Sequence, residues 1–190
     1  MNRRHFHKLA LMASVGTFVG IPANASNSKL RIGVPLFEKC DSPEVWIQVL
    51  QKLGCRAAYC PLGLDADIST IKAYEKAAKQ ADITIAEVGA WSNPISPDTE
   101  TAKAAFDKCV RSLQLADDIG ANCCVNIAGS KHMENWSGPH EENFSAETFD
   151  QIVEVTRKII DEVQPKRTFF TLEAMPWIFP ESADSYLSLL

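Results

Sequence analysis

Arg167-Thr-Phe-Phe-Thr-Leu-Glu-Ala-Met-Pro-Trp177 is the most informative stretch of the chain. It reads as a buried strand that delivers one carboxylate, Glu173, to its C-terminal end. Strand side chains alternate between faces, so Phe169, Thr171 and Glu173 share one side and Phe170, Leu172 and Ala174 the other. Pro176 lacks an amide donor and is expected to end the strand. In parallel α/β proteins, ligands and chemistry collect at the C-terminal ends of strands. Residues 182–190 read as the start of a following helix, and the chain stops there. The site that Glu173 joins is therefore expected to be unfinished within these 190 residues.

Outward from that strand, the chain alternates apolar runs with helical periodicity. Strands are expected at residues 30–36, 56–60, 83–88 and 123–128. Helices are expected from Asp41-Ser-Pro-Glu44 to Gly54, and over 68–80, 99–119 and 149–163. The longest carries Ala102, Ala105, Phe106, Cys109, Val110, Leu113, Ala116 and Ile119 at helical spacing, with Gly120 as its cap. Five βα units in a row imply parallel strands joined by right-handed crossovers. Two architectures fit: an open doubly wound sheet complete at five strands, and a (β/α)8 barrel cut after about five units. A full barrel needs ~250 residues, and periodicity does not choose between them.

The connections are unequal. Helix-to-strand turns are short, whereas residues 128–145 exceed the ~2–6 residues usual for a strand-to-helix loop. This loop holds Ser130, Lys131, His132, Glu134, Asn135, Trp136, His140, Glu141 and Glu142. Long loops on one end of a rigid scaffold carry function more often than the scaffold does. His132 and His140 are eight residues apart and lack metal-ligand spacing. Gly129-Ser130-Lys131 lacks the glycine spacing of a phosphate loop.

The first 25 residues read as an address. Arg3-Arg4-His5-Phe6-His7-Lys8 is a twin-arginine pattern, followed by an apolar run and the small-residue site Ala23-Asn24-Ala25. The run is shorter than the ~18 residues of a membrane span. Residues 1–25 are thus expected to be a twin-arginine signal peptide and 26–190 the folded domain, exported to the periplasm with no stable membrane span after cleavage. The formal charge is −5, and removing a segment with three bases and no acid takes it to −8. An acidic chain without a basic stripe argues against a nucleic-acid partner. The six cysteines show no paired zinc-type spacing and read as core filler.

Four segments together carry a family resemblance: Glu87-Val-Gly-Ala-Trp-Ser-Asn-Pro94, Val125-Asn-Ile-Ala-Gly-Ser130, Trp136-Ser-Gly-Pro-His140 and Thr171-Leu-Glu-Ala-Met-Pro-Trp177. In order and spacing, residues 30–190 resemble the sugar phosphate isomerase/epimerase family, the xylose isomerase-like TIM barrels. The resemblance implies a (β/α)8 barrel, here truncated after about five units, and a small-molecule sugar or sugar phosphate as partner. It implies one divalent cation (manganese, magnesium, cobalt or zinc) at the C-terminal mouth. Its ligands would be a Glu after strand five, an Asp after strand six, a His after strand seven and a Glu after strand eight. Glu173 matches the first of these, as metal ligand and as catalytic acid/base residue; the others have no counterpart here. Such chemistry removes a proton next to a sugar carbonyl, and a hard cation stabilises the enediolate. Glu87, Trp91, His140 and Trp177 are candidate substrate contacts. A structural ion pair for Glu87 and loop-anchoring roles for the tryptophans stand beside that reading. The chain alone is expected to be inactive, with exposed sheet edges that favour homo-oligomers. The alternative is a non-catalytic exported carbohydrate-binding domain.

Overall fold

Each helix begins where a short polar side chain takes up an orphan amide. The computed structural model describes residues 30–36 and 40–190. The twin-arginine segment of residues 1–25 lies outside them. Residues 32–190 form one contact unit. Ser42 accepts from the Val45 amide at 3.3 Å and opens α1 (Pro43–Lys52). Asp67 takes the Ser69 and Thr70 amides at 2.9 and 3.0 Å at the head of α2 (Ile68–Gln80). Asp98 takes Thr101 at 2.8 Å for α3 (Thr99–Ile119), and Gly120 ends that helix at φ +73°, a conformation costly to residues with a Cβ. Ser145 caps α4 (Ala146–Val163), starting it three residues before the position the periodicity marks. Ser182 caps α5 (Ala183–Leu189).

The strands are β1 (Gly33–Val34), β2 (Ala57–Tyr59), β3 (Thr84–Gly89), β4 (Cys123–Asn126) and β5 (Phe169–Leu172), each shorter than or shifted from its expected run, with β1 reduced to two residues. They form one parallel sheet in the order β1-β2-β3-β4-β5. That order separates the two architectures. A doubly wound sheet reverses direction at a switch point. Sequential order with right-handed crossovers keeps every helix on one face, as in a barrel wall. Leu50, Ile71, Ile85, Val88, Cys109, Leu113, Ile119 and Cys124 are buried in the core that joins sheet to helices. Burial pushes the Cys60 thiol up to about 11 and raises Cys124 as well, so these are inert thiols.

Two expectations for the decisive strand change. The strand is not buried: Phe169 is 73% exposed, and Thr171 is half-buried. Among the described residues it is an edge strand, paired with β4 alone. Nor does Pro176 end it. Regular pairing stops at Leu172, where β4 stops at Asn126, although the Glu173 amide still donates to the Asn126 carbonyl at 2.8 Å. The outer edge of β5 is partly closed by Tyr186 of α5, whose hydroxyl donates to the Leu172 carbonyl at 2.8 Å and accepts its amide at 3.2 Å. At the opposite end of the sheet, Arg167 binds the Asp117 carbonyl through Nε at 2.8 Å and Glu75 through a terminal nitrogen at 2.7 Å.

Candidate active site at the C-terminal ends of the strands

A bulge in β3 aims Glu87. Ala58 pairs with Ile85, yet Tyr59 pairs with Glu87, so Ala86 is an extra residue. Ile85 and Val88 are both buried against the helices, which plain alternation over three residues forbids. The extra residue turns Glu87 to the inner face, in a row with Tyr59, Cys123 and Phe169. Glu173 lies one step beyond Thr171 on that same face, exposed. Burial pushes the half-buried Glu87 carboxyl above its usual range, and the charge of Glu173 adds to the effect. The two carboxylates thus share one face, with Glu87 within reach of the Glu173 charge.

Trp91 follows directly. Gly89 is in register with Val125 on the inner face. A Cβ at Gly89 would lie 2.1 Å from the Trp91 indole nitrogen, so the ring rests over Gly89. Trp91 itself has φ +35°, an unusual backbone for a bulky residue. Its carbonyl accepts from Lys108 at 3.1 Å, and the next amide, Ser92, donates to buried Asn126 Oδ1 at 2.8 Å.

The long loop is locked by buried polar side chains. Asn93 Nδ2 donates to the Ser130 carbonyl at 2.7 Å and its Oδ1 accepts the Ser130 amide at 3.0 Å. Gly129 sits at φ +107°, and a Cβ there would meet Asn93 Oδ1 at 2.2 Å, so only glycine fits. Asn143 Oδ1 accepts the Lys131 amide at 2.8 Å, and its Nδ2 donates to the Gly138 and Trp177 carbonyls at 3.2 and 2.9 Å. Trp177 Nε1 returns a bond to the Ser137 carbonyl at 2.6 Å. The loop after β4 is therefore tied to the loop after β5, over a small apolar cluster of Ile95, Ile127, Ile152 and Ile178.

The structure places the sequence candidates unevenly. Glu87, Glu173 and the Trp91 ring share the inner face. Trp177 spends its indole N–H on the loop, and the residue is 40% exposed. His140 Nδ1 accepts the Glu142 amide at 3.3 Å and caps the short 3-10 helix Glu141–Phe144. His132 Nδ1 accepts the Glu134 and Asn135 amides, both at 3.1 Å, so each histidine has one ring nitrogen fixed by a local cap. Asn93, Asn126 and Asn143 were not candidates from sequence. The only signal was a polar residue inside an apolar run, as Asn126 is in Cys123-Cys-Val-Asn-Ile-Ala128.

Among the described residues, no group of three or more His, Cys, Asp or Glu side chains is placed to hold a metal ion. Glu173 is an exposed carboxylate of the right chemistry for one ligand of a hard cation, and Glu87 is a second carboxylate on the same face. They do not complete a cage. Among the same residues, no helix is long and apolar enough to cross a membrane.

A sequential parallel wall of this kind defines a barrel-type α/β protein. Residues 47–190 match the family model described as xylose isomerase-like TIM barrel, and the chain belongs to that family. Among solved structures it is similar to D-psicose 3-epimerase from Clostridium cellulolyticum, solved with D-tagatose (TM-score 0.62, 16% identity, 84% of this chain and 58% of that one). It is also similar to a xylose isomerase-like TIM barrel protein from Mycobacterium smegmatis in complex with magnesium (TM-score 0.52, 15% identity, 80% and 53%). A third is endonuclease IV from Thermus thermophilus (TM-score 0.58, 14% identity, 84% and 58%). The chain spans a little over half the length of these structures. No curated protein matches it.

Proposed function

We propose that this chain carries the strand-five part of a sugar isomerase or epimerase site, in which Glu173 moves the proton next to a ketose carbonyl. The observation that supports it most is the pair of carboxylates, Glu87 and Glu173, on one open face at the C-terminal strand ends. In that role the Glu173 carboxylate takes the α-proton. The C–H electrons pass into the enediolate, and a proton returned to carbon completes the exchange. A divalent cation bound at Glu173 and further donors would polarise the carbonyl. Glu87 would accept hydrogen bonds from substrate hydroxyls, His140 would offer the ring nitrogen its cap does not use, and Trp91 and Trp177 would line the mouth.

The test is deuterium uptake at the α-carbon of D-fructose or D-tagatose in D2O with added Mn2+ or Mg2+, followed by NMR. Exchange above the metal-only background that vanishes in Glu173→Gln supports the reading; equal exchange in both proteins contradicts it. The absence of a three-donor cluster among the described residues favours a second reading, a sugar-binding domain without turnover. Ketose binding indifferent to a chelator, with no exchange, would select it. The acidic balance of the chain weighs against a nucleic-acid substrate of the endonuclease type.

The twin-arginine pattern at Arg3-Arg4 and the Ala23-Asn24-Ala25 site support export to the periplasm. N-terminal sequencing of protein from the periplasmic fraction should begin at Ser26. A cytoplasmic product with residues 1–25 intact would contradict it.

A further inference from the structure

We infer that Tyr186 is a positioning residue for Glu173: its hydroxyl and the Asn126 carbonyl pin the two ends of the peptide group that carries Glu173. The inference rests on the proposed role of Glu173 and adds to it a residue from another element. That peptide group consists of the Leu172 carbonyl and the Glu173 amide. Its carbonyl end accepts the Tyr186 hydroxyl at 2.8 Å, and its amide end donates to the Asn126 carbonyl at 2.8 Å. A planar group bonded at both ends is held against rotation about the strand. The direction in which the Glu173 side chain leaves the backbone is thereby set. The same hydroxyl accepts the Leu172 amide at 3.2 Å. One phenol thus supplies both the donor and the acceptor that a neighbouring strand would bring to an edge residue.

The start of α5 is built to deliver that hydroxyl. Its seven residues are too few for a stable isolated helix, so its placement depends on its cap and its contacts. Ser185 Oγ accepts the Glu181 and Ser182 amides at 3.1 and 3.0 Å, and Ser182 Oγ accepts the Ser185 amide at 3.2 Å. The Tyr186 amide donates to the Ser182 carbonyl at 3.0 Å, so the tyrosine follows directly on this lock. Upstream, Ile178 is 1% exposed and anchors the connection from β5 in the cluster with Ile95, Ile127 and Ile152. Ala183, Asp184, Leu187 and Ser188 are exposed, while Tyr186 is half-buried and reaches the strand at the residue next to Glu173. That level of the strand is where precision matters, because misplacing a proton-transferring group by ~1 Å can cost about a hundredfold in rate.

The test compares the full chain with Tyr186→Phe, which keeps the ring and removes only the hydroxyl. Two quantities are read: site-resolved amide exchange without ligand, and α-proton exchange of D-fructose in D2O with added Mn2+. In Tyr186→Phe the Leu172 amide should exchange about tenfold faster, while the Cys124 and Asn126 amides of β4 keep their rates. The D-fructose exchange rate at saturation should fall about tenfold, with the half-saturating concentration unchanged. Glu173→Asp should cost less on the Tyr186→Phe background than alone, because the carboxylate is already displaced there. A mere loss of folded protein would instead multiply the two effects. A full D-fructose exchange rate in Tyr186→Phe overturns the positioning role while leaving Glu173-dependent exchange intact. Multiplying losses, or faster amide exchange throughout β4 and β5, also overturn it, since they mark a general loosening. No D-fructose exchange by the unaltered chain overturns both.

Discussion

Asn143 shows at the scale of one residue how the mouth is held. It is 1% exposed and bonds to the Lys131 amide and the Gly138 and Trp177 carbonyls. Replacing it by Ala would strand those groups away from water. Each orphaned buried group costs ~1–3 kcal/mol, so Asn143→Ala is expected to lose about 3 kcal/mol in urea unfolding and to shift Trp177 emission. A loss below about 0.5 kcal/mol would show that the loop does not depend on this residue. Glu173 was legible because an apolar alternating run isolates it. Asn143 was not, since its partner Trp177 lies 34 residues away and no local pattern marks such a bond. Glu87 is a candidate contact from sequence, but what turns it to the inner face is the bulge at Ala86, and a two-residue period carries no mark of a bulge.

Among the elements, helices were the most legible. The bounds of α2 and α3 are those the periodicity and caps indicate, because Asp67, Asp98 and Gly120 fix the ends chemically. Strands were less so: their ends depend on where a neighbour stops, which is a property of the sheet. The end of the sheet opposite the site is pinned by a different device. Glu75 is mostly buried and bonded by Lys79 and Arg167, each at 2.7 Å. Burial opposes its charge, but these two bonds and their positive charges win, and its pKa lies below the usual range. The folded pKa is thus depressed relative to the unfolded chain. Its contribution is present above the unfolded value of ~4.3 and is lost as pH falls through the folded one. Glu75→Gln should therefore cost stability at pH 7, by about 1–2 kcal/mol, and flatten the loss between pH 7 and pH 3. Parallel stability–pH curves for the two proteins would contradict this.

For the molecule as a whole, strand order was the missing fact. The sequence left a doubly wound sheet and a barrel wall both open, and the sequential order with all helices on one face decides for the wall. That wall leaves Tyr59 and Phe169 exposed at 46% and 73% on its inner face. We expect the 190-residue chain to self-associate through this surface. Phe169→Lys should reduce association in sedimentation velocity while changing folding stability by less than ~0.5 kcal/mol. A chain that stays monomeric at high concentration would contradict the expectation. Amide hydrogen exchange with and without saturating D-tagatose shows whether a sugar site sits on the inner C-terminal end of this wall. Protection is expected at residues 87–92, 126–143 and 173–178. Protection confined to the helices, or to the opposite end around Glu75 and Arg167, would contradict it.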